Sequence, residues 1–189
     1  MGGAPPSPRE FFAALAQEPD LAAVCRRFGL TREDLTRLFQ KAAELFQQEE
    51  GDAGVWRLYV DGASRGNPGP AGAGAVLFDP KGQKRAQEGR YVGETTNNVA
   101  EYQAFLLGLE LALNLGVKNL HIHADSLLVV QQVKGVYQVK TPHLYPLWSQ
   151  VKKTLPKFNS YEISHIDRSL NHEADRLAGQ AIDQHRRKR

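Results

Sequence analysis

From residue 8 to residue 48 the apolar positions keep a helical rhythm. Ser7-Pro-Arg-Glu10 has the form of a capping box with proline at the first helical position, and predicts a helix to about Gln17. Asp20 can cap a second short helix, Leu21 to Phe28, which Gly29 ends. Thr31 to Asp34 resembles a further cap, after which Leu35, Leu38, Phe39, Ala42, Leu45 and Phe46 recur at a spacing of about 3.6. The pattern predicts a three-helix unit with a turn at Gly29-Leu30. A Gly/Pro-rich leader, Gly2 to Pro8, is expected to be disordered. Glu49 to Gly54 is polar and glycine-bearing, and reads as a linker.

Beyond residue 54 the rhythm changes to short apolar runs. Strands are expected at Val55 to Gly62, Gly72 to Phe78 and Gln83 to Val92, with a hairpin turn at Asp79-Pro-Lys-Gly82 joining the last two. Thr96 to Leu115 is amphipathic and helical, and Gly116 stops it. A strand at Asn119 to Ala124, helices at Ser126 to Lys134 and Pro146 to Leu155, a strand at Tyr161 to Ile166 and a helix at Asn171 to Gln184 follow. Three antiparallel strands followed by strand–helix alternation give an α/β fold, a mixed five-stranded sheet flanked by helices. The expected organisation is a helical unit over residues 1–50, an α/β domain over 55–184 and a basic tail over 185–189.

Composition narrows the class. A chain of 189 residues, 41% hydrophobic and 24% charged, can bury a sizeable core. Cys25 is the only cysteine, so no disulfide framework or thiolate zinc site is available. No signal-peptide core is present, and no apolar run approaches the ~20 residues of a membrane span. A soluble, cytoplasmic protein with no membrane partner is expected. The net charge of +3 is uneven: residues 1–54 carry six Lys/Arg against nine Asp/Glu, and residues 55–189 eighteen against twelve. A mildly basic domain ending in Arg186-Arg187-Lys188-Arg189 fits a polyanionic partner, with a solvated surface and a frayed terminus as the competing reading. The turn "RRFGLTRED" resembles that of a helix-turn-helix, but the acidic balance of its unit favours docking of a partner over contact with nucleic acid.

Four carboxylates carry the candidate chemistry. Asp61 ends one apolar strand and Asp125 another, and a carboxylate there is costly to desolvate without a partner. If the strands are neighbours, a divalent cation between the two accounts for both. Glu101 lies on the long helix, at the edge of its apolar stripe Val99, Tyr102, Leu106 and Leu109. Asp175 shares one side of the last helix with Asn171, four residues earlier. Hard oxygen ligands without cysteine or clustered histidine indicate Mg²⁺ or Mn²⁺. Each carboxylate taken alone reads as a turn former or a surface charge; it is their order, each in its own element, that points to a site.

The blocks "YVDGASRGNPGPAG", "TTNNVAEYQAFLLGL", "HADSLLVVQQVKG" and "NHEADRLA" closely resemble, in order, the motif blocks of type 1 ribonuclease H, over roughly residues 55–183. The third block is most similar to the compact archaeal and bacterial branch, which lacks a long basic handle; only Gly135 to Pro142 lies where the handle would be. The resemblance implies a ribonuclease H-like fold and an endonuclease that cuts the RNA strand of an RNA/DNA hybrid, leaving 5′-phosphate and 3′-hydroxyl ends. Double-stranded RNA is the alternative substrate, and a binding module with decayed catalysis is the reading from another class. Carried over by motif, Asp61, Glu101, Asp125 and Asp175 hold two Mg²⁺ or Mn²⁺ ions, Asp175 the most loosely.

For the substrate, Gly62 is expected to let the backbone approach the RNA. Asn67 and a tight Pro68-Gly69-Pro70 turn present amides to a minor groove, where 2′-hydroxyls are displayed. Thr96, Asn97 and Asn98 sit at a helix N-terminus suited to phosphate or base edges, and Asn171 is a further expected contact. Two departures stand out. Leu127 occupies a position where better-known members carry Gln, so one groove contact is in doubt. The loop before the last helix, where many relatives carry a catalytic histidine, is short: His165 falls in the strand and is expected to be buried and structural, His172 falls in the helix, and Arg168 is the loop residue best placed to assist product release.

Overall fold

The computed structural model describes residues 6–187, without the side chains of residues 44–53. The chain divides into two compact units, residues 1–51 and 52–189. In the first unit, helix α1 (Pro8–Gln17) starts at a complete capping box: the Ser7 N–H donates to Glu10 Oε2 at 2.9 Å, and Ser7 Oγ accepts from the Glu10 N–H at 3.4 Å. Helix α2 (Leu21–Phe28) is capped by Asp20 and ends at Gly29, whose φ of +64° is the left-handed conformation that glycine adopts without strain. Thr31 and Asp34 cap helix α3 (Arg32–Ala53) reciprocally. Phe11, Ala14, Val24 and Leu38 form the centre of this unit, backed by Phe12, Phe28 and Leu35.

Helix α3 overruns the expected linker, since residues 49–53 are helical. Gln and Glu propagate a helix well, and a single interior glycine costs only about 1 kcal/mol. Polarity marks a segment that faces water; it does not break a helix. The side chains of Leu45 and Phe46, expected in the apolar stripe, and the leader residues 2–5 lie outside what the structure describes.

The second unit is built on five strands, β1 (Trp56–Ser64), β2 (Gly69–Phe78), β3 (Lys84–Thr95), β4 (Asn119–Ala124) and β5 (Ser160–His165), in the order β3-β2-β1-β4-β5. The first three are antiparallel neighbours; β4 pairs parallel with both β1 and β5. Helices α4 (Asn97–Asn114), α5 (Leu127–Lys134), α6 (Tyr145–Thr154) and α7 (His172–Arg187) flank the sheet. Leu58, Val60, Ile122 and Ala124 pack with Tyr102, Phe105 and Leu109 of α4 in a continuous core. Gly108 permits that contact, for a Cβ there would lie 2.8 Å from both Leu58 and Val60.

Helix α7 meets β2 and β3 main chain to main chain. A Cβ on Gly74 would lie 2.1 Å from the Ala174 carbonyl oxygen, one on Gly72 2.3 Å from that of Ala178, and one on Gly89 2.5 Å from that of Leu177. Strand β2 and helix α7 both extend beyond their expected bounds. Strand β2 already starts at Gly69, paired with Thr95, so the reversal is Arg65–Pro68 and not Pro68-Gly69-Pro70; the Arg65 N–H closes it on the Pro70 carbonyl at 2.9 Å. The expected tail is helical as far as Arg187, because its residues extend α7 without a breaker; Lys188 and Arg189 lie outside the described residues.

Candidate active site

Strand pairing brings the first two carboxylates together. Val60 is in register with Ala124 across the parallel β1–β4 ladder, so Asp61 and Asp125 stand side by side. Glu101 joins them because α4 comes very close to β1. A Cβ on Gly62 would lie 2.1 Å from the Glu101 nitrogen and 2.3 Å from the Ala100 carbonyl carbon. Gly62 is buried, and its N–H donates to Glu101 Oε2 at 3.2 Å, while Asn97 Nδ2 donates to Oε1 at 3.4 Å. One oxygen from each of Asp61, Glu101 and Asp125 then falls within 4.8 Å of the others. Among the described residues this is the one such group of carboxylates, histidines and cysteines.

Two of the three carboxylates are almost sealed from water, Asp61 being 4% exposed and Glu101 5%. Burial pushes the Asp61 carboxyl up to about 9, with the charges of Glu101 and Asp125 adding to it. Burial and the charge of Asp125 push Glu101 up to about 8, against the hydrogen bonds from Gly62 and Asn97. Three converging carboxylates that cannot all ionise in each other's presence fit a hard divalent cation, which would bind their charged forms.

Asp175 stands outside this trio. Arg168, from the short loop before α7, donates to its Oδ1 at 2.7 Å, although the Asp175 charge still reaches Asp61. Asn171, the residue before α7, is 1% exposed and donates from Nδ2 to the Val60 carbonyl at 2.9 Å and to Asp125 Oδ1 at 3.1 Å. At the rim, Thr96 Oγ1 accepts from the Val99 N–H and caps α4, and Asn67 Oδ1 accepts from the Asn97 N–H at 3.2 Å, tying the Arg65–Pro68 turn to the same helix end. Asn67, Asn97 and Arg168 are exposed; Asn98 and Thr96 are half-buried.

Residues 59–181, which include all four carboxylates, match a family model described as reverse transcriptase-like. The chain is 40% identical over 125 residues to the ribonuclease HI of Halobacterium salinarum, a span covering 66% of this chain and 63% of that protein. This chain belongs to the ribonuclease H family. The crystal structure of the Halobacterium RNase H1 superposes with a TM-score of 0.68 over 69% of this chain. A bifunctional protein of Mycobacterium tuberculosis is 41% identical over 127 residues, 67% of this chain but 35% of its own length. The structure of LC11-RNase H1 in complex with an RNA/DNA hybrid is 39% identical, with a TM-score of 0.65, and covers 68% of this chain and 97% of that one. The chain thus spans about two-thirds of the Halobacterium enzyme and a third of the mycobacterial protein.

Within this ribonuclease H domain several expected positions need correction. Gly62 does not face a groove; it is the seat for Glu101. Asn171 is buried, and its side-chain amide donates to the Asp125 carboxylate instead of meeting solvent. Glu101 is not at the edge of a stripe, because α4 buries Ala100, Glu101, Ala104, Phe105 and Gly108 along with Tyr102 and Leu109. His165 is in the strand as expected but exposed, with Nε2 3.2 Å from the Asp125 carbonyl oxygen. A histidine at the open end of an edge strand is not enclosed by neighbours, and no local sequence signal reports that. Replacing Asn171 by Ala removes a buried donor to Asp125 and is expected to destabilise the protein by about 1–3 kcal/mol and to weaken Mg²⁺ binding. Calorimetric titration of Mg²⁺ into the variant checks this; unchanged affinity would limit Asn171 to a packing role.

Proposed function

We propose that the ribonuclease H domain is an endonuclease that hydrolyses the RNA strand of RNA/DNA hybrids with two divalent cations, leaving 5′-phosphate and 3′-hydroxyl ends. The observation that carries this reading is the convergence of Asp61, Glu101 and Asp125 within 4.8 Å, two of them buried and short of compensating charge. Asp61, Glu101 and Asp125 would hold the ions, with Asp175 as a looser ligand. When bound, Mg²⁺ or Mn²⁺ supplies activation of a water and stabilisation of the leaving 3′ oxygen.

The chain's own residues prepare that chemistry. The Gly62 N–H and Asn97 orient the two oxygens of Glu101, and Asn171 orients Asp125. Arg168 holds Asp175, and its exposed guanidinium is the group in the loop suited to a product phosphate. Asn67, Asn97, Asn98 and Thr96 gather where the Arg65–Pro68 turn meets the N-terminus of α4, an edge suited to a minor groove and its flanking phosphate. The hybrid-bound relative supports the same substrate here.

Incubating the purified chain with end-labelled hybrid, double-stranded RNA and double-stranded DNA, each with Mg²⁺ or Mn²⁺, tests the proposal. Cleavage confined to the RNA of the hybrid, lost in excess chelator and restored by the cation, is the expected result. Equal cutting of double-stranded RNA would broaden the substrate. Cleavage undiminished in chelator would exclude the metal mechanism.

A further inference from the structure

The last turn of α7 is fastened to the turn that bears Asn67. Arg65, the first residue of the Arg65–Pro68 turn, pairs with Asp183 at 2.6 Å. Two residues on, His185 stacks on Tyr91 of β3 with ring centroids 3.7 Å apart and planes 8° from parallel. Ile182 is fully buried against the sheet, near Gly72. These contacts hold a helix end whose next residues, Arg186 and Arg187, are exposed. At 1.5 Å per residue they stand only about 4.5–6 Å further along the axis than Asp183. Asp183, the acidic residue within that turn, is already neutralised by Arg65.

We infer that Arg186 and Arg187 form a phosphate-contacting surface that extends the duplex track beyond the Arg65–Pro68 turn, outside the metal site. The inference rests on the substrate reading above, which puts Asn67 in a minor groove. A duplex seated there presents a phosphate backbone beside the same turn, and paired guanidiniums on a fixed helix end suit it. The surface also answers an electrostatic need. Affinity for a duplex comes largely from contacts to its phosphates, and positive charge outside the metal site supplies them.

The test uses the full chain carrying Asp61→Asn, so that the hybrid stays intact, with and without Arg186→Ala/Arg187→Ala or Arg186→Lys/Arg187→Lys. Affinity for a long hybrid is measured against salt concentration. The alanine pair is expected to weaken binding about three- to tenfold and to make the salt dependence shallower by roughly 2 in log–log slope, one contact per arginine. The lysine pair should keep most of the slope. A hybrid too short to pass the turn should bind all variants alike. If the arginines only complement the helix end, the alanine pair lowers the melting temperature and leaves affinity and slope unchanged, which overturns the inference. Failure of the substrate reading shows separately, as a parent chain that neither cuts nor prefers hybrid before any arginine is altered.

Discussion

Replacing Asp61 by Asn should abolish hybrid cleavage and at the same time raise the melting temperature of the metal-free protein. Both effects have one source. Asp61 has an unfolded value near ~3.9 and a folded value of about 9. A carboxyl raised in this way favours the fold where it is protonated. Its contribution is fully present below pH ~4 and is lost as pH rises toward 9, because over that window the folded state binds the extra proton. At neutral pH the metal-free fold therefore carries a penalty that the amide lacks. A single pK unit corresponds to ~1.4 kcal/mol, so a gain of at least that size, several degrees of melting temperature, is expected. Melts of chelated parent and variant at acid, neutral and alkaline pH decide the matter: the parent should lose stability with rising pH more steeply than the variant. Mg²⁺ should then stabilise the parent and leave the variant nearly unmoved. A variant that melts below the parent at pH 8, or that still turns over hybrid, would refute the role given to Asp61.

The second large effect is at Gly62. Its missing side chain is what lets α4 close on β1, and the atoms a methyl would strike belong to the helix main chain. A flexible side chain could swing away; a backbone cannot without moving the helix. Gly62→Ala is expected to cost about 3 kcal/mol or more, the upper end for overpacking, and to displace Glu101 from the trio. Gly179→Ala is the matched control. Gly179 lies in α7 with open space where its Cβ would be, and there Ala should be neutral or stabilising by up to ~1 kcal/mol. Urea midpoints of the two variants test the pair; similar values would show that α4 can yield.

The capping residues explain why the helix starts were legible before the structure. Ser7, Asp20, Thr31 and Thr96 each carry the side-chain oxygen that a helix start requires, and each is found capping. The carboxylate strands were legible because an acid at the end of an apolar run has few inexpensive explanations. What escaped was set by contacts distant in sequence. Gly62 and Asn171 are small or polar residues whose partners are Glu101 in one case and Val60 and Asp125 in the other, 39 to 111 positions away. The burial of Glu101 depends on β1 lying beneath α4, which no helical period encodes. The extension of α3 was missed because glycine and polarity were weighed as a break, whereas the surrounding glutamines and glutamates sustain the helix.

The seating of α7 on Gly72, Gly74 and Gly89 bears on how this protein can change over evolutionary time. Most helices rest on a layer of side chains, and ordinary drift between Leu, Ile and Val alters that layer's thickness and nudges the helix. Beneath the first half of α7 there is no such layer along β2 and β3, because carbonyl oxygens of the helix rest directly over strand main chain. The height of Asp175 above the sheet is therefore insulated from repacking on the α4 side. A lineage can exchange much of its apolar interior without readjusting that carboxylate, while the three glycines are the positions it is least free to rewrite.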